Sequence, residues 1–144
     1  EFFAALNIDT RFSEQGRAFY SPADNFVHIP NRENFKATST CTATDAFYST
    51  LAHEDIHATS HKDRLDRDMK SYAAEELVAE IGSAMVMAHL GLNNTVREDH
   101  IKYVKSWLEA LKGDKKFIIQ AASKAQKALD WMVEQQREEL AEAA

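Results

Sequence analysis

Two histidines four residues apart, in the run His53-Glu54-Asp55-Ile56-His57, are the side chains of this sequence best spaced for chemistry. On a helix, residues four apart stack on one face, so both imidazoles can reach a single metal ion. Glu54 then lies beside that ion without ligating it. There its carboxylate can take a proton from a metal-activated water, the division of labour of a zinc hydrolase. Two polar histidines on a solvated helix would give the same five letters, so the motif calls for a third ligand elsewhere.

Downstream of His57 the acidic residues Asp63, Glu75, Glu76 and Glu80 compete for that role. At about 100° per residue, Ala74, Leu77, Ile81, Ala84, Met85 and Ala88 form an apolar stripe, which is expected to face the core. Glu75 then points away, whereas Glu76 and Glu80 lie one turn apart along the border of the stripe. A carboxylate there is costly to desolvate unless it is paired or metal-bound, so two stacked together call for a cation. Glu76 is the expected ligand, with Glu80 behind it accepting a hydrogen bond from a ligand histidine. Asp63 is the lower-ranked alternative, because the tight turn its offset needs has Ser60 where a glycine is required. His61 could lie near the metal but more simply closes the helix. Tyr103, with His28, Tyr20, Tyr72 and His100, is a candidate donor to an oxyanion, and the sequence does not choose among them. Asp55 occupies a slot that is commonly apolar in an active-site helix.

These side chains need helices to hold them. Thr44 and Asp45 are expected to cap and open the active-site helix, which runs to about Ser60. A charged loop, His61 to Lys70, leads to a second helix capped by Ser71 and ended by Gly91. A third spans about Thr95 to Lys112. A fourth starts at Asp114, with Phe117, Ile118, Ala121, Ala125, Ala128, Leu129 and Met132 on its apolar face and solvated last turns beyond Trp131. Upstream, Glu1 to Leu6 reads as a helix tail and the following residues, through Gln15, as a polar connector. Arg17 to Ser21 and Asn25 to Pro30 read as a β-hairpin turning at Pro22-Ala23-Asp24-Asn25. Asn31 to Thr44 is expected to be an irregular surface connection.

At 144 residues the chain is sized for one domain, residues 1–144, able to bury a core without disulfides. With 44% hydrophobic and 28% charged residues it is neither disordered nor fibrous in composition. Apolar stretches such as Ile81 to Leu92 are broken by Gly82, Ser83 and His89, so no membrane span is expected. The lone Cys41 and the lack of a charged-apolar-small leader point to the cytoplasm. The start at Glu1 without a methionine fits a piece of a longer chain. A net charge of -6 argues against this piece gripping phosphate backbones over a wide surface.

The run Tyr20-Ser-Pro-Ala-Asp24 through Ile29-Pro30, Phe35, Phe47 through His57, and Arg64-Leu65-Asp66-Arg67 resembles the zincin-like metallopeptidase domain of ArdC-type antirestriction proteins and plasmid TraC primases. Tyr72 through Glu80 resembles that family's third-ligand helix. Tyr103 through Lys112, Asp114 and Ala121 through Ala128 resemble its closing helices, so roughly residues 17 to 133 are covered. The resemblance implies one Zn2+ ion held by His53, His57 and Glu76, with Glu54 as general base acting on a protein or peptide substrate. It also implies that DNA is bound by an N-terminal domain absent from this piece.

The expected fold is α+β and zincin-like: a small, mostly antiparallel sheet packed on the active-site helix, the glutamate helix and two C-terminal helices. The expected function is peptide hydrolysis. The rival is a non-catalytic, metal-stabilised acidic domain that blocks a protein partner such as a restriction enzyme.

Overall fold

Thr42 begins the helix that carries the histidines. Its hydroxyl accepts from the Asp45 backbone N–H at 3.0 Å and donates to the Asp45 carboxylate at 2.7 Å, satisfying an orphan amide at the helix start. Helix α1 therefore spans Ala43–Ala58, opening earlier than the Thr44 cap expected from the sequence. The structure is a computed structural model, and it describes residues 1–68, 71–92 and 115–142. The helix expected over Thr95 to Lys112 lies outside the described residues, as do His100 and Tyr103.

Ahead of α1 come a 3-10 turn, Ala4–Leu6, and strands β1, Asp9–Ser13, β2, Phe19–Ser21, and β3, Phe26–Pro30. The expected hairpin is present: β2 pairs antiparallel with β3, Tyr20 opposite Val27. Its turn closes through Asn25 at φ 52°, a left-handed conformation that asparagine tolerates. The stretch expected to be a polar connector contains β1, which pairs parallel with β3 over five residues, Asp9 with Phe26 through Ser13 with Pro30. The sheet, in order β1-β3-β2, is thus mixed rather than mostly antiparallel. Asp9-Thr10-Arg11 hides this strand from an apolar pattern, because only a parallel edge pairing needs it and one side stays wet.

Val27 and Ile29 of β3 are fully buried against Phe47, Leu51 and Ala58 of α1. Helix α2, Tyr72–His89, starts at the expected Ser71 cap, whose hydroxyl accepts from the Ala74 backbone N–H at 3.2 Å. It ends just before Gly91, which takes φ 67° as a left-handed stop should. Helix α3, Lys115–Glu142, continues past Trp131 and buries Ala121, Ala125, Ala128 and Met132, while Phe117 and Leu129 are partly buried and Ile118 is exposed. Among the described residues no helix is long and apolar enough to cross a membrane.

Helix α2 packs on α1 with one side and on α3 with another, so it is buried over more than one stripe. The residues it buries are Leu77, Val78, Ala79, Gly82, Ser83, Val86 and Met87, together with Glu75. Apart from Leu77, these are not the stripe expected from its apolar periodicity, and Ala88 is exposed. The phase shift follows from the partners: Gly82 faces Ile56 of α1 so closely that a Cβ would sit 2.8 Å from the Ile56 Cδ1. The approach at Gly82 fixes which face of α2 is covered, and Val78, Ala79 and Val86, about one turn away on either side, are buried with it.

Candidate metal centre

The late turns of α1 and the first turns of α2 bring three donors to one point. His53 and His57 face each other with their Nε2 atoms 3.1 Å apart. The Glu76 carboxylate lies 3.6 Å from the first Nε2 and 3.3 Å from the second. Taken one atom per residue, the three donors lie within 4.8 Å of one another.

The opposite nitrogens show which lone pairs are available. His53 Nδ1 is 3.3 Å from the Glu80 carboxylate, and His57 Nδ1 is 3.3 Å from that of Glu75. A carboxylate only accepts, so with an ion on the Nε2 side each Nδ1 is placed to carry the hydrogen and each Nε2 to offer its lone pair. Two imidazole lone pairs and a carboxylate converging at this spacing repel unless a cation or a proton lies among them. This donor set fits a divalent ion of the zinc or manganese type.

Where a proton takes that place, the side chains compete for it. Burial disfavours the His53 imidazolium, but bonds to Glu76 and Glu80 and the nearby Glu54 charge outweigh burial and lift its pKa to about 10. His57 is raised too, burial being outweighed by Glu75 and Glu76. Glu76 is lowered: burial works against its charge, yet His53 and His57 hold it ionised.

Glu54 is 9% exposed and lies beside this cluster. Burial raises its pKa, His53 and His57 pull it down, Glu76 pushes it up, and a backbone hydrogen bond from Tyr20 lowers it; burial prevails. A carboxylate so placed has a stronger pull on protons than an exposed one, as a general base requires.

The remaining expected residues fall elsewhere. The Glu80 carboxylate lies against His53, on the Nδ1 side. Asp63 is exposed and turned to His61, whose Nδ1 is 3.4 Å from its carboxylate and accepts its backbone N–H, so neither joins the three donors. His28 is a tie within the sheet: its Nδ1 donates to the Arg17 carbonyl at 2.8 Å, which leaves Nε2 to accept from the Ser13 hydroxyl at 2.7 Å. The Tyr20 hydroxyl donates to Asn25 at 3.2 Å, and Tyr72 is 73% exposed. Asp55 is buried, and its Oδ1 has no hydrogen-bond partner among the described residues.

Glu75 is a correction to the sequence reading. Expected to point away, it is 6% exposed, because the Arg67 guanidinium and His57 together hold its charge under the loop that follows α1. The signal was available. Two ligand imidazoles need two outer acceptors, and with Glu80 assigned to one histidine the carboxylate adjacent to Glu76 was the natural acceptor for the other.

A small sheet, an HExxH helix and a glutamate helix crossing it define a zincin-type metallopeptidase fold. The chain belongs to the zincin-like metallopeptidase family, whose profile matches residues 1–124. It is similar to the crystal structure of the antirestriction protein ArdC of plasmid R388 in its Mn(II)-bound form, at 46% identity and a TM-score of 0.80 over 93% of this chain and 50% of that one. The metal-free form of the same protein superposes with a TM-score of 0.75 at 45% identity, over 93% of this chain and 48% of that one. Among curated sequences the chain is 42% identical to the uncharacterised protein y4eC of Sinorhizobium fredii over 94% of this chain and 44% of that protein. It is 35% identical to DNA primase TraC of Escherichia coli over 96% of this chain and 13% of the primase. The chain thus spans less than half the length of these curated relatives.

Proposed function

We propose that this chain is a metal-dependent peptidase domain in which His53, His57 and Glu76 hold one divalent ion and Glu54 is the general base. One observation carries the reading: the two Nε2 atoms and the Glu76 carboxylate converge beside a buried Glu54. Family membership and the Mn(II) bound by the similar ArdC support it. A bound divalent ion, with zinc the expected one, supplies Lewis acidity, making water more acidic and a peptide carbonyl more electrophilic. Glu54 accepts the proton of the attacking water on its carboxylate and later delivers it to the leaving amine nitrogen. Glu80 and Glu75 keep the hydrogens of both imidazoles on Nδ1, so that both Nε2 atoms stay available as donors. Metal analysis of the purified protein with a peptide-library cleavage assay tests this. Glu54→Gln should retain the metal and lose cleavage by about a hundredfold or more, and undiminished cleavage would exclude Glu54 as the base.

A second reading draws on the likeness to an antirestriction protein and the charge of -6. The domain would then be a metal-stabilised acidic surface that blocks a protein partner. Under that reading Glu54→Gln leaves protection from restriction intact, while charge reversal of exposed carboxylates removes it. DNA contacts of a longer parent are assigned outside this acidic region.

A further inference from the structure

The run Arg64-Leu65-Asp66-Arg67 folds back onto the end of α1. Leu65 N–H donates to the Thr59 carbonyl, Asp66 N–H to that of His61 and Arg67 N–H to that of Ser60, each at 3.1 Å, with Asp66 at φ 44° making the reversal. Arg64 leaves this turn in one direction, donating to the Ala58 carbonyl at 2.9 Å and to Asn25 of the hairpin at 2.7 Å. Arg67 leaves it in the other, with a side chain only 5% exposed.

Among the described residues, the guanidinium of Arg67 bonds toward the metal centre. One nitrogen donates to the Thr59 hydroxyl at 2.7 Å, and another donates to the Ile56 carbonyl at 2.9 Å, one residue before His57. Its Nε and Nη2 grip both oxygens of Glu75, the first at 3.1 Å. Oε1 of Glu75, held in that fork, is the oxygen that accepts from His57 Nδ1. A neutral acceptor would orient the imidazole equally well. A carboxylate also raises the basicity of the opposite nitrogen, and burying one here requires the guanidinium.

We infer that Glu75 is a positioning residue for the metal centre, acting through His57, and that Arg67 holds it there and so links the 60–67 loop to metal affinity. This rests on His53, His57 and Glu76 being the ligands. Glu80 faces Nδ1 of His53, and the Glu75–Arg67 pair faces Nδ1 of the other imidazole.

The test is a zinc titration against a chromophoric chelator, with the visible spectrum of the Co(II)-substituted protein as a second readout. Wild type, Glu75→Gln, Arg67→Met, the double variant and His53→Ala are compared, each with its thermal midpoint measured in chelator. Glu75→Gln should weaken zinc by about 10- to 100-fold and shift the Co(II) bands. Arg67→Met should weaken zinc in the same direction without touching a ligand, and the double variant should lose much less than the product of the two single effects. Should a buried charge left alone prevent Arg67→Met from folding, Arg67→Lys serves, keeping the charge but losing the fork. A tie that is merely structural would lower the midpoint in chelator and leave zinc affinity and the Co(II) spectrum of the folded protein unchanged, and that result overturns the inference. If His53→Ala abolishes zinc binding while Glu75→Gln leaves it within twofold, the inference fails and the ligand assignment stands. A wild type that binds no divalent ion removes both.

Discussion

His53 sets the chemistry of the centre because its Nε2 must choose between a proton and a metal. With its pKa near 10, it carries a proton at neutral pH in protein stripped of metal. Loading the ion should therefore release protons, and affinity should climb as pH rises from neutrality. Calorimetric titration in buffers of different ionisation heat counts those protons; no dependence on buffer would contradict the assignment. The same pairing has a sign for stability. A raised histidine pKa contributes stability that is full below its ordinary 6.5 and lost as pH rises through about 10. The lowered Glu76 contributes above its ordinary 4.5 and loses that contribution as pH falls through its folded value. Stripped protein should thus gain most from this cluster between those two ordinary values. Asp55 has the opposite character. Burial, with the Glu54 charge adding to it and Arg64 opposing, raises its pKa well above 3.8. Its burial therefore costs stability increasingly as pH rises above 3.8, and Asp55→Asn should raise the thermal midpoint at neutral pH, with the gain shrinking toward acid. An equal midpoint shift at both pH extremes would show that charge is not the cause.

At the scale of elements, the centre is a crossing of α1 and α2, and its precision depends on how closely they approach. Gly82 permits that approach at Ile56, the residue before His57. Gly82→Ala would place a Cβ 2.8 to 3.0 Å from three Ile56 side-chain carbons. Overpacking of this kind costs about 1–3 kcal/mol, against a helix-propensity gain of about 1 kcal/mol. The midpoint should fall and zinc affinity with it, because the histidines move away from Glu76; Ile56→Ala in the same chain, which removes all three carbons, should restore the affinity. The same crossing explains what the sequence could reveal. The caps at Ser71 and Gly91, the hairpin turn and the HExxH helix are local devices, readable from a few residues each. That Glu76 and Glu80 stand near the histidines was legible because they lie on one edge of a helix. The burial of Glu75 was not, since it depends on Arg67 in a loop whose fold is set by backbone bonds to α1, although the need for a second outer acceptor was. Strand β1 was hidden for a related reason: Asp9 to Ser13 is a strand only because β3 lies beside it.

For the whole molecule, the site lies between α1 and α2, so a bound ion should act as a staple between them. At a free concentration of 100 times its dissociation constant, a ligand of the folded state adds about 2.7 kcal/mol. In a chain of this size that corresponds to a midpoint rise of roughly 5–10 °C. Scanning calorimetry with and without chelator measures it, and identical midpoints would mean that the two helices are held without the metal. The sequence placed the chain in its zincin-like family through motifs spread along its length, and the family profile covers residues 1–124. A substrate for the proposed peptidase was not legible, because substrate choice depends on surfaces around a metal site and not on the residues that would hold the ion. The most direct test of the central claim is anomalous scattering at the zinc edge from crystals grown with one equivalent of zinc. The account expects a single strong peak bonded to the Nε2 atoms of His53 and His57 and to the Glu76 carboxylate, with Glu54 beside it and unligated. A peak on Asp63 and His61, or none between α1 and α2, would contradict it.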